Sequence, residues 1–271
     1  MMKDQQRRPK AEAVRSEEPG RVNLTVKKSM LMWAVAALLG AWSTGLAAQA
    51  APEFAPTAPG EHIPNLDQVT TAEKPQLKQE LKEYDACTCQ CGCYAKDLNL
   101  QADHAIAYLR QRAAHRKPGE KLALVLDIDE TTLSNYPEMV KGDFNYNAAA
   151  FDAWVKQAAA PVIPGTLRLY REARRLHVSV IFLTGRAEAE RQATVRNLHA
   201  RGFSHWRMLI LRSPQEAGWT ATQYKSYERE HTIEAKGYHI VLNVGDQWSD
   251  LRGKAEADYS VKYPDPFYFL K

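Results

Sequence analysis

Cysteine is missing from this 271-residue chain except in one short cluster, Cys87, Cys89, Cys91 and Cys93. No cysteine stands just after the N-terminal apolar run, which excludes a lipid-bearing cysteine anchor there. The eight histidines contain no His-x-x-x-His pair, so His104, His177 and His239 are assigned to packed or surface positions and not to a zinc helix. Long apolar runs are also lacking. The strongest, Met30 to Gly40, is too short to cross a hydrocarbon core of about 30 Å. Finally, the chain lacks a true charge surplus. Of its 36 basic and 32 acidic side chains, eight and four lie in residues 1–50, leaving 28 of each beyond them. The alkaline isoelectric point therefore belongs to the N-terminal leader, and a nucleic-acid polymer is not the expected partner. What remains is 45% apolar with 14 Gly and 14 Pro, enough for one full-sized core.

The leader has the layout of an export signal. Lys27 and Lys28 precede an uncharged stretch, Met30 to Leu46, and Ala48-Gln49-Ala50 offers the small residues that a signal peptidase needs. Residues 1–50 are read as that signal, with cleavage after Ala50, a periplasmic or secreted destination and no stable membrane anchor afterwards. Residues 51–77 carry Pro52, Pro56, Pro59, Pro64 and Pro75 and are expected to form a disordered linker, with one domain over 78–271.

Within the domain, Leu122 to Leu126 is a short continuous apolar run, the signature of a strand covered on both faces. Val178–Leu183, Met208–Leu211 and Ile240–Val244 repeat it. Helical patterns lie between them at roughly 165–175, 187–201 and 226–236, and another precedes them, with Leu98, Leu100, Ala105, Ile106 and Leu109 at helical spacing. Strand and helix in alternation predict an α/β fold, a Rossmann-like, mainly parallel sheet flanked by helices. Ligands of such sheets bind beyond the carboxyl ends of the strands.

The polar motifs fall at those ends. Asp127 and Asp129 follow the first buried strand, where alternation aims both carboxylates the same way. Like charges that close repel, and they are best tolerated where a cation neutralises them or one holds a proton. A bare Asp-x-Asp is equally compatible with capping of the following turn by its neighbours Thr131 and Thr132. The companions decide between the readings. Thr184-Gly185-Arg186 ends the second run, Lys225 precedes a helix, and Gly245-Asp246-Gln-Trp-Ser-Asp250 ends the last. Together they supply a nucleophile, a proton carrier, metal ligands and a cationic group, the parts phosphoryl transfer requires.

In order and content these four motifs resemble those of the haloacid dehalogenase superfamily, and more narrowly its acid phosphatase branch, with the bacterial class B and class C enzymes and the plant vegetative storage proteins. The resemblance implies a magnesium-dependent phosphomonoesterase, with nucleoside monophosphates among its candidate substrates. Asp127 would attack phosphorus and carry an aspartyl-phosphate, and Asp129 would protonate the leaving oxygen and later accept a proton from water. Thr184 and Gly185 would bind the phosphoryl group, and Lys225 would balance its charge. Magnesium would be held by Asp127, the backbone carbonyl of Asp129 and Asp246, with Asp250 behind them; an all-oxygen set suits magnesium better than zinc. Dehalogenases lack the second Asp, so Asp129 argues for phosphoryl chemistry. Storage proteins can lack the nucleophile, so Asp127 argues against storage. The same resemblance allows a homo-oligomer, and it leaves phosphotransfer to an alcohol as a nearer alternative.

Other features read less sharply. The cysteine cluster is open to disulfides or a crosslink to a partner chain, to a soft metal, or to no defined role; a helix would pair Cys87 with Cys91 and Cys89 with Cys93. The short segment 136–163 is expected to form a small cap, with Phe151 and Trp154 in the core of a helix and Tyr136 as a substrate contact. Arg186 is expected to orient carboxylates or substrate, and Arg229 to pair with a neighbouring acid.

Overall fold

The computed structural model describes residues 53–88 and 92–270. The export signal, its cleavage site, Cys89 and Cys91 lie outside the described residues. Six strands form one sheet: β1 (Glu53–Phe54), β2 (Lys121–Leu126), β3 (Ser179–Ala187), β4 (Met208–Arg212), β5 (Tyr238–Gly245) and β6 (Tyr259–Lys262). Their order is β1-β6-β5-β2-β3-β4, and every pairing is parallel. The α/β reading holds, with β2 and β5 at the centre.

The apolar runs are continuous because both faces of the sheet are covered. Along β2, Leu122, Leu124 and Leu126 join the larger core cluster while Ala123 and Val125 join the smaller one on the opposite face, the period-two alternation of a strand. Over the larger face lie α2 (Tyr94–Ala114) and α5 (Pro164–Arg175). The buried stripe of α2 is Leu98, Ala102, Ala105, Ile106 and Leu109, whereas Leu100 points outward. Gly165 lets the two helices meet: a Cβ there would stand 2.8 Å from that of Ala102. On the other face, α7 (Ala221–Glu228) contributes Tyr224 and the turn after it Ile233. The helix α6 (Arg191–Ala200) follows β3, and α8 (Trp248–Leu251) follows β5.

The expected disordered linker is instead an ordered strap. β1 pairs with β6, the amide of Ala55 donates to the Ser260 carbonyl at 2.9 Å, and Ala55, Ala58, Ile63 and Leu66 are buried. The amide of Gly60 donates to Asp97 Oδ2 at 2.8 Å, and Gln101 Nε2 donates to the Pro56 carbonyl at 2.8 Å. Proline density misleads here because an edge strand of two residues leaves Pro56, Pro59, Pro64 and Pro75 outside the ladder, where a missing N–H costs nothing. A further helix absent from the sequence reading, α1 (Lys74–Asp85), follows the strap. Cys87 and Cys93 form a disulfide that joins the end of α1 to the start of α2, a pairing that neither helical alternative contained.

The cap segment holds two short helices, α3 (Tyr136–Lys141) and α4 (Ala148–Gln157). No helix among the described residues is long and apolar enough to cross a membrane.

Candidate active site

Because β5, β2 and β3 are adjacent and parallel, their carboxyl ends bring the motifs to one edge of the sheet. The amide of Asp127 makes the last ladder bond of β2, to the Val244 carbonyl at 3.1 Å, and its side chain is buried. Asp246 follows β5 directly, and Thr184 lies within β3. Lys225 arrives from α7, whose start is set by a reciprocal cap between Thr220 and Gln223. Its ammonium donates to both Asp127 Oδ1 and Asp250 Oδ1.

Asp250 reaches that position because α8 folds back over Gly245. A Cβ at Gly245 would stand 2.3 Å from the Cβ of Asp250, so no other residue fits. Asp250 Oδ2 accepts from the Gln247 amide at 2.9 Å, and its carbonyl accepts from Asn243 Nδ2 at 2.8 Å. Arg229, expected to pair with an acid, instead donates to backbone carbonyls of residues 250–255, among them Asp250 at 2.6 Å and Arg252 at 2.7 Å. The fully buried guanidinium is the internal brace of that loop, and its five fixed N–H groups match several carbonyls better than one carboxylate would.

Asp129 has a different surrounding. Arg186 donates to its Oδ1 from Nη2 at 2.7 Å and from Nε at 3.0 Å, Asn135 Nδ2 donates at 2.8 Å, and Thr184 Oγ1 lies 3.4 Å from Oδ2. The chain turns sharply just past Asp129: Glu130 has φ of 54°, and the amides of Thr132 and Leu133 both return to the Ile128 carbonyl. The fully buried Glu130 carboxylate receives the amide and the side-chain amide of Asn135. Trp154 of the cap then donates to Asn135 Oδ1 at 2.9 Å, which ties α4 to the loop that carries Asp129. Trp154 is thus partly core and partly tether.

The two aspartates are pushed apart in acidity. Burial lifts Asp127 well above the usual carboxylate range, Lys225 opposes this, and Asp250, Asp246 and Asp129 add to it. Burial also acts on Asp129, but the Arg186 guanidinium and its hydrogen bonds outweigh it and hold that carboxyl below its ordinary value. Asp246 is raised by burial and by Asp250, and Glu130 is raised well above its range by burial and by Asp129. Lys225 is held protonated: Asp127 and Asp250 overcome the effect of burial.

Oxygens of Asp127, Asp246 and Asp250 all lie within 4.8 Å of one another. Three buried carboxylates face one ammonium, and hard oxygen donors with an excess of negative charge fit a divalent magnesium ion. Asp246 is held by Thr131 Oγ1 on Oδ1 at 2.9 Å, and by Gln247 Nε2 at 2.9 Å and the Tyr268 hydroxyl at 3.1 Å on Oδ2. Asp129 contributes no side-chain oxygen to the trio, since Arg186 and Asn135 hold it.

Gly185 is exposed, with open space where its Cβ would stand. Tyr136, expected to touch substrate, is half-buried and packs at 5.1 Å from the Phe267 ring and 6.2 Å from Phe144. Burial and the neighbouring Asp85 raise its hydroxyl to about 12. Sequence reasoning missed the roles of Glu130, Asn135, Gln247 and Tyr268. The first three stand inside or beside the motifs and could have been flagged as polar residues in an apolar setting; Tyr268 carries no local signal.

The comparisons agree with this geometry. Residues 61–271 match the model of the HAD superfamily, subfamily IIIB (Acid phosphatase). The chain is 37% identical over 191 residues to Acid phosphatase 1 of Solanum lycopersicum, covering 69% of this chain and 68% of that protein. It is 30% identical over 200 residues to Vegetative storage protein 1 of Arabidopsis thaliana, covering 69% and 73% respectively. Among solved structures, the class C acid phosphatase from Bacillus anthracis superposes with a TM-score of 0.57 at 22% identity, over 71% of this chain and 86% of that one, which bears on the fold. The chain therefore belongs to subfamily IIIB of the HAD superfamily, the acid phosphatases, and is by family a phosphomonoesterase.

Proposed function

We propose that the chain is a magnesium-dependent hydrolase of small phosphomonoesters, acting outside the cytoplasm through a phosphorylated Asp127. The observation that carries this reading is the pairing of two aspartates with opposite surroundings at the end of the central strand. Asp127, beside the Lys225 ammonium, attacks phosphorus; the new O–P bond forms as the bond to the leaving alcohol breaks. Asp129, which Arg186 aims and Thr184 approaches, gives its proton to the departing oxygen. In the second half Asp129 takes a proton from water, whose oxygen attacks phosphorus, and inorganic phosphate leaves with Asp127 restored. The Arg186 clamp favours the ionised form of Asp129, so loading it with a proton is easier in acid. Thr184 and Lys225 meet the negative charge of the transferring group.

Asp127, the Asp129 carbonyl and Asp246 would hold magnesium, which supplies charge neutralisation for the phosphoryl oxygens. Asp250 stands behind them by orienting Lys225. The leader and the Cys87–Cys93 disulfide support a periplasmic or secreted setting. The likeness to a vegetative storage protein favours one rival, a non-catalytic phosphate-binding role on the same scaffold. Hydrolysis of p-nitrophenyl phosphate separates the two. Turnover that is lost in EDTA and restored by magnesium is expected; no turnover with magnesium present supports the rival, and turnover that survives EDTA overturns the metal assignment. A panel of nucleoside monophosphates, sugar phosphates and phosphotyrosine, with glycerol added as acceptor, then fixes the substrate and exposes any phosphotransfer.

A further inference from the structure

The last residues of the described chain do not trail off from the fold. Tyr263 continues from β6 with its amide on the Gly245 carbonyl at 2.8 Å, and residues 264–267 are buried. Asp265 receives Gln247 Nε2 on Oδ2 at 2.8 Å and the Phe267 amide on Oδ1 at 3.0 Å. The Phe267 ring lies 5.0 Å from Tyr94, 5.1 Å from Tyr136 and 6.2 Å, stacked, from Phe144. This segment therefore crosses from the end of β5 to the cap. On its way it places the Tyr268 hydroxyl on Asp246 Oδ2 at 3.1 Å.

We infer that Tyr268 is a positioning residue for the metal ligand Asp246, and that residues 263–270 are the strap that delivers it. This rests on the magnesium reading of the site given above. A carboxylate can rotate about its Cβ–Cγ bond, and a ligand that must present one oxygen to a cation gains from being fixed in advance. Thr131 fixes Oδ1, and Gln247 with Tyr268 fixes Oδ2. Thr131 and Gln247 lie inside the sequence motifs, and Gln247 is itself held by the strap: one of its amide hydrogens goes to Asp246 and the other to Asp265. Tyr268 is the donor to Asp246 that comes from outside the motifs, and it binds the ligand's setting to the cap through the neighbouring Phe267.

Hydrogen-bond partners of metal ligands are typically worth 10- to 100-fold in metal affinity. Tyr268→Phe keeps the ring and removes the donor, so magnesium affinity is expected to fall about tenfold. The kcat at saturating magnesium is expected to stay near wild type. Affinity is read without catalysis, as the magnesium concentration dependence of the thermal midpoint of the full chain, with Tyr146→Phe as a neutral control because Tyr146 is 80% exposed. A chain ending at Phe267 removes the same hydroxyl by another route and is expected to show the same loss. Wild-type magnesium affinity in both variants, alongside lost magnesium stabilisation in Asp246→Asn, overturns the role of Tyr268 and leaves the metal site standing. Wild-type affinity in Asp246→Asn overturns the metal site itself.

Discussion

Asp127 and Asp129 are two residues apart and occupy one site, yet one faces an ammonium crowded by further acids and the other faces a bidentate guanidinium. The net charge around Asp127 is negative, and its carboxyl is pushed up; around Asp129 the guanidinium prevails, and its carboxyl is held down. Identical side chains thus take different roles from their neighbours, which is how a fold divides nucleophile from proton carrier. Different elements supply the partners: Lys225 comes to Asp127 from α7, and Arg186 comes to Asp129 from the end of β3.

The largest expected effect breaks the comparison at its covalent end. Asp127→Asn keeps the shape and removes the nucleophile, so kcat for p-nitrophenyl phosphate is expected to fall by on the order of 10⁴-fold or more. Asp129→Asn removes only the proton carrier and is expected to cost about 10²- to 10⁴-fold, least for a leaving group that departs without a proton. Equal losses with good and poor leaving groups would remove the proposed division of labour.

The two cations sharpen the contrast in stability. Lys225→Met strands Asp127 and Asp250 in a buried setting and is expected to cost about 3–5 kcal/mol in denaturant unfolding at neutral pH. Arg186→Leu should cost less, about 1–3 kcal/mol, because the Asp129 side chain keeps 18% of its surface in solvent. A larger loss at Arg186 would mean that the clamp, rather than the ammonium, organises the site.

The smallest effect concerns a counterpart of Asp129 away from the site. Glu172 on α5 is lowered to about 2, chiefly by hydrogen bonds from Arg175 and Arg110. A depressed folded value means stability that is present above the ordinary value of 4.5 and lost as pH falls toward about 2. Glu172→Gln is therefore expected to be less stable than wild type by up to about 1 kcal/mol at pH 6. The difference should close between about pH 4.5 and 2 in parallel unfolding curves; a gap independent of pH would assign it to packing.

The legible parts of this molecule are those where chemistry and strand ends coincide. The four buried runs announce the parallel sheet, because a strand covered on both faces must be apolar throughout, and Asp127, Thr184 and Asp246 follow from their places after those runs, whereas Lys225 lies within α7 and was legible only through its motif. The strap at 53–66 was hidden because its prolines mimic a solvated linker while only Ala55, Ala58, Ile63 and Leu66 mark burial. The opposite partners of Asp127 and Asp129 were hidden because alternation along a strand says nothing of which cation, Lys225 from α7 or Arg186 from β3, packs against each acid. Arg229 misled for a related reason: a basic residue one turn past Lys225 suggests an ion pair, and only the folded loop at 250–255 reveals a set of carbonyls in need of donors. Tyr268 is the extreme case, since its contact with Asp246 spans 22 residues with no pattern between.

The central claim, that Asp127 becomes phosphorylated during turnover, is tested by quenching the working enzyme with borohydride, which reduces an aspartyl-phosphate to homoserine, and mapping the peptides by mass. Homoserine at position 127, dependent on substrate and absent from Asp127→Asn, is the expected result. Unmodified Asp127 in an enzyme turning over at full rate, or homoserine at Asp129, would contradict the account.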